Sequence, residues 1–300
     1  MTETERRWFP APAKINLYLK VRGRRSDGYH ELDSVMARLE LADRVGLALR
    51  PGQNEDRLVS TAPGLPTALP PDFNDPGNLA LKALHAYRER TGWPEAGVDL
   101  FLEKNIPLGA GLGGGSSNGA TVLTTLNRAA PAPLTAEELT ALGLTLGADV
   151  PFFLQPRPLA RAEGVGERLS DSPPAWDPWA GRALTLVNSG LSLSTGLVFK
   201  NLGLTNQPPH NNLGRISDVT PFPGDNDLWV PALKLAPALA TVASAIQRLR
   251  PDFWGMSGSG STFWFCPPQG PAALETAEGW WICETRIQGE GTTKAPTRGL

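Results

Sequence analysis

Cysteine is scarce in this sequence. Only Cys266 and Cys283 occur among 300 residues, and they form no C-x-x-C pair. Two such cysteines supply neither a disulfide framework nor a cysteine-based zinc site. We therefore expect the protein in a reducing compartment, the cytoplasm. Both thiols are expected to pack as small hydrophobic side chains.

An excess of charge of one sign is also lacking. Lys and Arg number 28 and Asp and Glu number 30, which gives a formal net charge of −2. A chain with so balanced a charge has no global positive field to attract nucleic acid or anionic lipid. The composition therefore favours a small-molecule partner and argues against nucleic acid and membranes as partners. It does not specify an oligomeric state.

Long hydrophobic segments are missing as well. Residues 1–8 lack the apolar stretch of a signal peptide, so export is not expected. Residues 105–127 carry no charge and are numerous enough to span a bilayer, but Gly, Ser, Thr and Asn fill much of the segment. A membrane helix needs roughly 20 predominantly apolar residues. The sequence therefore predicts no membrane-spanning helix.

Glycine and proline, in contrast, are abundant, and the chain is long enough for two domains. The 32 glycines and 29 prolines make up about a fifth of the chain, against roughly an eighth in average proteins, and predict many turns. A common domain has roughly 150 residues. The proline-rich segment 155–158 is the best boundary candidate. We therefore expect domains at 1–157 and 158–300, with a C-terminal tail able to pack back on the first domain.

Hydrophobic alternation predicts a meander of strands in the N-terminal part of the chain. Apolar side chains occupy every second position of 15–21, 35–41 and 45–49, with a polar loop at 22–30. A period of two is typical of half-buried strands. Lys14 and Asn16 share the polar face of the first strand.

Helices and further strands follow. Asp75 before Pro76 is typical of a helix start, and the apolar spacing predicts a helix from 79 to Gly92. Thr135 and Glu138 form a T-x-x-E capping box for a helix that Gly147 ends. The pattern also predicts strands at 98–102, 183–187 and the end of 254–265, and helices at 116–126 and 231–248.

A glycine-rich loop joins the strand at 98–102 to the helix at 116–126. Glycine lets backbone N–H groups approach an anion, and a helix N-terminus adds unpaired N–H groups and the positive end of its dipole. Residues 107–117 are therefore a candidate phosphate-binding loop.

The two best-known phosphate loops do not account for this segment. Gly109, Gly111 and Gly114 match G-x-G-x-x-G, but no acidic residue lies between Gly114 and Glu137 to hold a ribose. Walker A is excluded because no lysine follows the glycines. A third type of phosphate loop is required.

Two charged residues lie in short motifs elsewhere, Lys14 in P-A-K-I-N and Asp149 in G-A-D-V-P. A lone lysine on a strand is usually solvated. Asp149, two residues after the helix-ending Gly147, could serve only as a helix N-cap. Neither residue is decisive alone.

Four motifs occur in an order that resembles the GHMP small-molecule kinases. They are P-A-K-I-N at 12–16, the glycine-rich loop at 107–117, G-A-D-V-P at 147–151 and M-S-G-S-G-S at 256–261. Residues 25–30 and 160–167 are similar to the motifs of those members that act on a cytidine-diphosphate-linked methylerythritol. The resemblance covers about 14–261, and it weakens across 170–181 and 205–222 and after Cys266.

The resemblance implies an α+β fold with two domains, a ribosomal-protein-S5-domain-2-like nucleotide domain at 1–157 and an α/β sandwich substrate domain at 158–300. The active site would lie in the cleft between them. The implied reaction is ATP-dependent phosphorylation of the 2-hydroxyl of the cytidyl-linked methylerythritol in the non-mevalonate route to isoprenoids. ATP and Mg²⁺ are the implied cofactors. The metal ligands are not identified, although Ser116 or Ser117 could contribute a hydroxyl.

By the same resemblance, individual residues match functional positions of the family. Lys14 and Asp149 match the catalytic pair, and Asn78 and Lys104 match positions near the adenine. The residues that match the triphosphate-binding loop are Pro107, Leu108, Gly109, Ala110, Gly111, Leu112, Gly113, Gly114, Gly115, Ser116 and Ser117. Those that match the substrate site are Asn16, His30 and Thr195 as polar contacts and Tyr29 and Phe199 as a pair of aromatic rings around the cytosine.

Three alternatives stay open from the sequence. Another GHMP kinase, with mevalonate or homoserine as substrate, would share the ATP loop but not the Tyr29 and Phe199 pair. A non-catalytic nucleotide-binding relative is disfavoured by the presence of both Lys14 and Asp149. An RNA-binding module is opposed by the net charge of −2.

Overall fold

The structure is a computed structural model that describes residues 7–203, 222–267, 274 and 276–289. Residues 1–6, most of the segment 205–222 and most of the tail after Cys266 lie outside the described residues. In chain order the elements are β1 (Arg7–Arg24), β2 (His30–Arg50), β3 (Arg57–Thr61), α1 (Leu79–Thr91), β4 (Gly97–Glu103), α2 (Gly114–Ala129), α3 (Ala136–Leu146), α4 (Val150–Leu154), β5 (Leu159–Gly164), β6 (Arg168–Asp171), a 3₁₀ helix (Pro174–Trp179), β7 (Ala183–Asn188), α5 (Thr195–Lys200), α6 (Trp229–Leu235), α7 (Leu239–Arg248), β8 (Trp254–Met256), β9 (Thr262–Phe265) and β10 (Trp281–Arg286).

The first sheet has six strands and is built on the long antiparallel hairpin of β1 and β2. One edge of β2 pairs with β1. Its other edge pairs with β5 along its first half and with β4 along its second half. With β3 beside β4 and β6 beside β5, β2 is the strand on which the sheet is assembled.

The strand β2 is longer than the sequence pattern predicts. The alternation at 35–41 and 45–49 indicates two strands, but the structure has one uninterrupted strand of 21 residues. The linking residues stay in the sheet because Ala42 pairs with Pro12 and Asp43 pairs with Ala11 on β1. Pairing with β1 therefore keeps these residues in the strand although the hydrophobic pattern is interrupted there.

The first hydrophobic core lies between this sheet and the helices α1 and α2. Leu47 on β2 and Leu100 on β4 pack in one buried cluster with Leu84 and Tyr87 on α1 and Leu123 on α2. The helices are short, and the longest described one, α2, has 16 residues. No helix in the described parts of the chain is both long and apolar enough to cross a membrane.

The predicted helix ends are confirmed with one correction. The α1 helix ends before Gly92, whose φ of 73° is left-handed, and both halves of the capping box of Thr135 and Glu138 form. The predicted N-cap at Asp75 is wrong. Asn78 caps α1 instead, because its side-chain oxygen accepts the Ala80 N–H at 2.9 Å.

The second sheet has the order β10-β7-β9-β8 and packs against α6 and α7. The strand predicted at 183–187 is confirmed as β7. The helix predicted at 231–248 is two helices, which are separated at Pro237. Proline lacks an N–H and disfavours a helical conformation in the residue before it. Accordingly, Ala236 takes φ −136° and ψ 81°.

The sheet pairing bears on the proposed division of the chain. β5 and β6 follow the expected boundary at 155–158, yet they hydrogen-bond into the first sheet through β2. A division after Asp171 therefore fits the pairing better than one after Arg157. The chain also returns to the first sheet near its end, where Ile287 bridges to Leu39 and the Gln288 N–H donates to the carbonyl of Arg38 at 2.9 Å.

Asp56, just before β3, ties α1 to β4. Its carboxylate accepts two hydrogen bonds from the Arg88 guanidinium, at 2.6 and 2.8 Å, and one from the Val98 N–H at 2.9 Å. Burial raises the pKa of Asp56. The hydrogen bonds and the charges of Arg88 and His85 outweigh burial and hold the pKa below its ordinary value.

Replacement of Asp56 by Asn should therefore lower the free energy of unfolding at pH 7 by about 1–3 kcal/mol. Because the pKa is lower in the folded than in the unfolded state, this stabilisation is present above the unfolded-state pKa of about 3.9 and is lost as the pH falls through the folded value. Urea unfolding at pH 7 and pH 3 should show the wild-type and variant curves converging in acid. Asp171→Asn is the control, because Asp171 belongs to an exposed ion pair, and it should change the free energy of unfolding little. A loss of stability in Asp56→Asn that is equal at both pH values would contradict the explanation.

Candidate active site

The strand β1 is irregular on both sides of Lys14. Its register against β2 shifts between Pro12 and Lys14 and again between Asn16 and Tyr18. Such bulges bend a strand and redirect its backbone and side-chain groups. At the first shift, the Lys14 N–H donates to the carbonyl of Leu112 at 2.9 Å. β1 is therefore bonded directly to the glycine-rich loop.

The Lys14 side chain is buried at the wall of a cleft. Lys14 is only 4% exposed, and its Nζ donates to Asn16 Oδ1 at 2.8 Å. Nζ also lies 3.5 Å from Asp149 Oδ2. The predicted sharing of one strand face by Lys14 and Asn16 is confirmed. The face is enclosed by other elements, so Lys14 is not an ordinary solvated lysine.

Asp149 occupies the turn between α3 and α4. It precedes α4 directly, but within the described residues its carboxylate makes no capping hydrogen bond to that helix. Its side chain is 36% exposed and faces Lys14. The alternative that Asp149 is only a helix cap is therefore excluded.

The glycine-rich loop turns alternate residues toward the core. Ala110 and Leu112 are 3% and 1% exposed. Gly109, Gly111 and Gly113 lie beside them with φ of 61°, 75° and 69°, a left-handed conformation that glycine adopts without steric cost. The buried side chains hold the loop while the glycines keep its backbone free of Cβ atoms.

Two of these glycines are also in close contact with other parts of the site. A Cβ on Gly111 would lie 2.4 Å from the carbonyl oxygen of Ser257. A Cβ on Gly113 would lie 3.0 Å from Lys14 Cγ and 3.0 Å from Phe153 Cζ. The loop then enters α2 at Gly114, two positions before the predicted start, so the helix N-terminus lies directly beside Lys14.

The M-S-G-S-G-S segment joins the same site from the second sheet. Ser257 Oγ donates to the carbonyl of Gly111 at 2.9 Å and accepts the Asn16 N–H at 3.3 Å. Gly258 and Ser259 line the cleft. Sequence reasoning assigned no role to these residues, although the motif itself was the signal that could have identified them.

The elements enclose a cleft of about 300 Å³. The sequence-predicted residues that line it are Lys14, Asn16, Gly111, Gly113, Ser116, Asp149, Thr195 and Phe199. The lining residues that sequence reasoning missed include Ser34, Met36, Val165, Gly166, Gly258 and Ser259. Among the described lining residues, Asp149 is the one carboxylate and Lys14 the one ammonium.

The side chains of Asn78 and Lys104 are engaged outside this cleft. Asn78 caps α1. Lys104 is 1% exposed, pairs with the carboxylate of Asp43 and donates to Asn118 Oδ1 at 3.0 Å. Burial lowers the pKa of Lys104, and the Asp43 carboxylate opposes this effect. The ammonium is therefore committed to the protein interior beneath α2.

On the opposite side of the cleft, Phe199 stacks on His30 and not on Tyr29. The His30 and Phe199 ring centroids are 4.9 Å apart with an interplanar angle of 27°, whereas Tyr29 is 64% exposed. Burial and then the charge of Arg24 lower the pKa of His30, so its ring is neutral at pH 7. Thr195 Oγ1 lies 2.9 Å from Ser259 Oγ. The expected aromatic pair of Tyr29 and Phe199 is not assembled in this structure.

The chain matches known proteins over nearly all of its length. Residues 78–156 match the family described as GHMP kinases N terminal domain. The 4-diphosphocytidyl-2-C-methyl-D-erythritol kinase of Syntrophotalea carbinolica is 39% identical over 276 residues, which are 90% of this chain and 92% of the relative. The enzyme of the same name from Geobacter sp. strain M21 is 37% identical over 291 residues, 92% of this chain and 97% of the relative.

Solved structures give the same result. A crystal structure of 4-(cytidine 5'-diphospho)-2C-methyl-D-erythritol kinase superposes with a TM-score of 0.70 at 36% identity and covers 93% of this chain and 99% of its own. A mevalonate kinase, at 12% identity and a TM-score of 0.63, covers 95% of this chain and 100% of its own. A homoserine kinase from Cytophaga hutchinsonii, at 17% identity and a TM-score of 0.62, covers 96% and 98%. The last two show the fold alone.

A glycine-rich loop that opens into a helix beside a lysine and an aspartate, on this pair of sheets, defines a GHMP kinase fold. The α+β fold expected from the sequence is thus confirmed. Within that superfamily, the chain belongs to the 4-diphosphocytidyl-2-C-methyl-D-erythritol kinase family.

Replacement of Gly113 by Ala should weaken MgATP binding more than it weakens cytidine nucleotide binding. The new Cβ would meet Lys14 and Phe153 and force a left-handed alanine, which strains the loop by about 1–2 kcal/mol. Calorimetric titration of both ligands measures the two affinities. Gly92→Ala is the matched control, because Gly92 has a similar φ of 73° but nothing within 4 Å of its Cβ position. Equal losses of both ligands in Gly113→Ala would indicate general misfolding instead.

Proposed function

We propose that this chain transfers the γ-phosphoryl group of ATP to the 2-hydroxyl of 4-(cytidine 5'-diphospho)-2-C-methyl-D-erythritol, giving the 2-phosphate and ADP, in the methylerythritol phosphate route to isoprenoid precursors. Membership of the family supports the substrate. The observation that carries the chemistry is the 3.5 Å approach of Lys14 Nζ to Asp149 Oδ2 in the cleft, next to the glycine-rich loop. Mevalonate and homoserine have less support, since kinases for them share only the fold.

Asp149 is the proposed general base. Its partly exposed carboxylate can reach a substrate hydroxyl in the cleft and accept the proton as the oxygen attacks phosphorus. Lys14, beside it, places a positive charge where the alkoxide develops and where the transferred phosphoryl group carries negative charge. The two residues thus act on the same oxygen, one as proton acceptor and one as electrostatic partner.

The glycine-rich loop and the N-terminus of α2 are proposed to hold the triphosphate. The loop from Pro107 to Ser117 would wrap the triphosphate with the backbone N–H groups of residues 108–116, because Pro107 has no N–H and the N–H of Ser117 donates to the carbonyl of Gly113 at 2.9 Å. The helix dipole adds positive potential at Gly114. Asn78 and Lys104 would act at the adenine side only through backbone or neighbouring groups, because the polar atoms of their side chains already bond within the protein.

Magnesium fits the donor set of this cleft. Mg²⁺ prefers oxygen ligands and usually binds through one or two protein groups together with substrate phosphates. It therefore does not need a cluster of three or more His, Cys, Asp or Glu side chains, and the described residues contain no such cluster. Ser116 lines the cleft beside the loop and could supply a hydroxyl. Ser117 is fully buried, and its Oγ has no hydrogen-bond partner among the described residues. When bound, Mg²⁺ would neutralise charge on the β- and γ-phosphate oxygens.

The cytidyl group is proposed to bind at Phe199. The ring of Phe199 is already stacked on neutral His30 at the cleft, and Thr195 supplies a hydroxyl nearby. Tyr29 lies in the exposed turn between β1 and β2. Cytosine would bind with one face against Phe199. The turn that carries Tyr29 would fold over the other face of the cytosine, and His30 would be available as a neutral hydrogen-bonding group.

Replacement of Asp149 by Asn should lower kcat by about 10²–10⁴-fold, because the amide cannot accept the proton. Lys14→Ala should be similarly impaired, with ATP affinity changed much less than turnover. A coupled ADP-release assay measures kcat, and circular dichroism checks the fold. Asp225→Asn is a matched control. The Asp225 carboxylate lies 3.3 Å from Nζ of Lys20, which is on the same strand as Lys14, and neither Asp225 nor Lys20 lines the cleft. Turnover of Asp149→Asn within a few-fold of wild type would rule out its role as the base.

Cytidine mono- and diphosphate should each raise Tm without any methylerythritol, because a ligand that binds only the native state stabilises it. Uridine and purine monophosphates should raise it less. Phe199→Ala and Tyr29→Ala should each lose about 1–3 kcal/mol of cytidine binding while ATP affinity barely changes. The exposed Phe222 provides a control in Phe222→Ala. A protein that phosphorylates mevalonate or homoserine and shows no thermal response to cytidine nucleotides would overturn the substrate assignment and leave the kinase assignment intact.

A further inference from the structure

Behind Asn16 lies a serine to which the reaction scheme assigns no role. Ser34 is on β2, next to β1, and is 3% exposed. The Asn16 Nδ2 group donates to Ser34 Oγ at 2.8 Å. Ser34 Oγ in turn donates to the backbone carbonyl of Tyr18. That carbonyl follows the second register shift of β1, where the regular strand pairing is interrupted.

The direction of these hydrogen bonds determines the orientation of the Asn16 amide. A carbonyl oxygen only accepts, so Ser34 uses its single hydroxyl proton on Tyr18 and has only lone pairs left for Asn16. The amide must therefore turn its NH₂ group toward Ser34. Its oxygen then faces Lys14, whose Nζ donates to it at 2.8 Å. Without Ser34, no hydrogen bond on this side of Asn16 would distinguish the amide NH₂ group from the amide oxygen.

From this chain of bonds, we propose that Ser34 is a positioning residue for phosphoryl transfer. It acts through Asn16 to hold the Lys14 ammonium beside Asp149, and its own contact with the substrate is not required. Lys14 has four rotatable side-chain bonds, and its ammonium is placed by Asn16 Oδ1 and by the more distant Asp149 carboxylate. A misplacement of about 1 Å at such a group can cost as much as 100-fold in rate.

This inference rests on the proposed function of Lys14. It predicts that Ser34→Ala lowers kcat by about 10- to 100-fold, while the KM for ATP and the KM for the cytidyl substrate stay near their wild-type values. Ser34→Thr keeps the hydroxyl, and threonine is a common strand residue that suits the position of Ser34 on β2. This variant should regain kcat to within about three-fold of wild type.

A double-mutant cycle separates positioning from direct substrate contact. If Ser34 acts only through Asn16, Ser34→Ala should have no further effect on kcat in an Asn16→Ala background. Multiplicative losses would show that Ser34 works independently of Asn16. A raised KM for the cytidyl substrate with unchanged kcat would show that Ser34 does not act through the Lys14 ammonium, and either result would overturn the proposal. Normal kcat in Ser34→Ala would overturn it as well.

A matched control tests for a merely structural effect. Like Ser34 Oγ, Thr91 Oγ1 can donate to a backbone carbonyl, that of Tyr87 at 2.8 Å, and accepts an N–H, that of Trp93 at 3.2 Å; the carbonyl of Trp93 lies 3.1 Å away as a second acceptor. Thr91 lies at the far end of α1, outside the cleft lining. Thr91→Ala should therefore lower Tm by a few degrees without changing kcat. An equal change of Tm and kcat in both variants would contradict the positioning role.

The same assays distinguish failure of this inference from failure of the proposed function. If Lys14→Ala and Asp149→Asn are inactive but Ser34→Ala is fully active, the catalytic pair stands and the positioning role falls. If Lys14→Ala retains activity, the assignment of the catalytic pair itself is wrong, and the role of Ser34 falls with it.

Discussion

Lys14 carries its charge where solvent scarcely reaches, at 4% exposure, and an isolated buried ammonium would cost several kcal/mol. The surrounding structure offsets this cost with the Asn16 amide oxygen at 2.8 Å and the Asp149 carboxylate at 3.5 Å. Lys14 and both of these partners line the cleft. The requirement to satisfy one buried charge thus shapes the strand, the turn and the loop that meet at it.

Two distant parts of the chain, the glycine-rich loop and the second sheet, also bond to the backbone of β1 beside this lysine. The glycine-rich loop accepts the Lys14 N–H through the carbonyl of Leu112. The second sheet contributes Ser257, which accepts the Asn16 N–H, and Trp264, whose indole donates to the Asn16 carbonyl at 3.0 Å. Backbone groups of β1 thus join the glycine-rich loop and the second sheet to the first sheet at the wall of the cleft.

The two sides of the cleft differ in how completely they are assembled. The side with the glycine-rich loop, proposed to bind phosphate, is closely packed, with Ala110 and Leu112 buried under the loop. The side proposed to bind the cytidyl substrate presents the His30 and Phe199 stack with Tyr29 exposed nearby. The proposed binding of cytosine between Phe199 and Tyr29 would require rearrangement of the exposed turn, whereas the groups near Lys14 are already in contact with each other.

Features that depend on neighbouring residues could be predicted from the sequence: the capping box at Thr135 and Glu138, the helix end at Gly92, and a glycine-rich loop leading into a helix. Motif order also identified the family. The sequence did not predict that β2 is continuous, that Lys104 is buried against Asp43, or that Phe199 stacks on His30. Each of these depends on a partner that is distant along the chain, and neither hydrophobic period nor local capping chemistry specifies which distant side chain or strand that partner is.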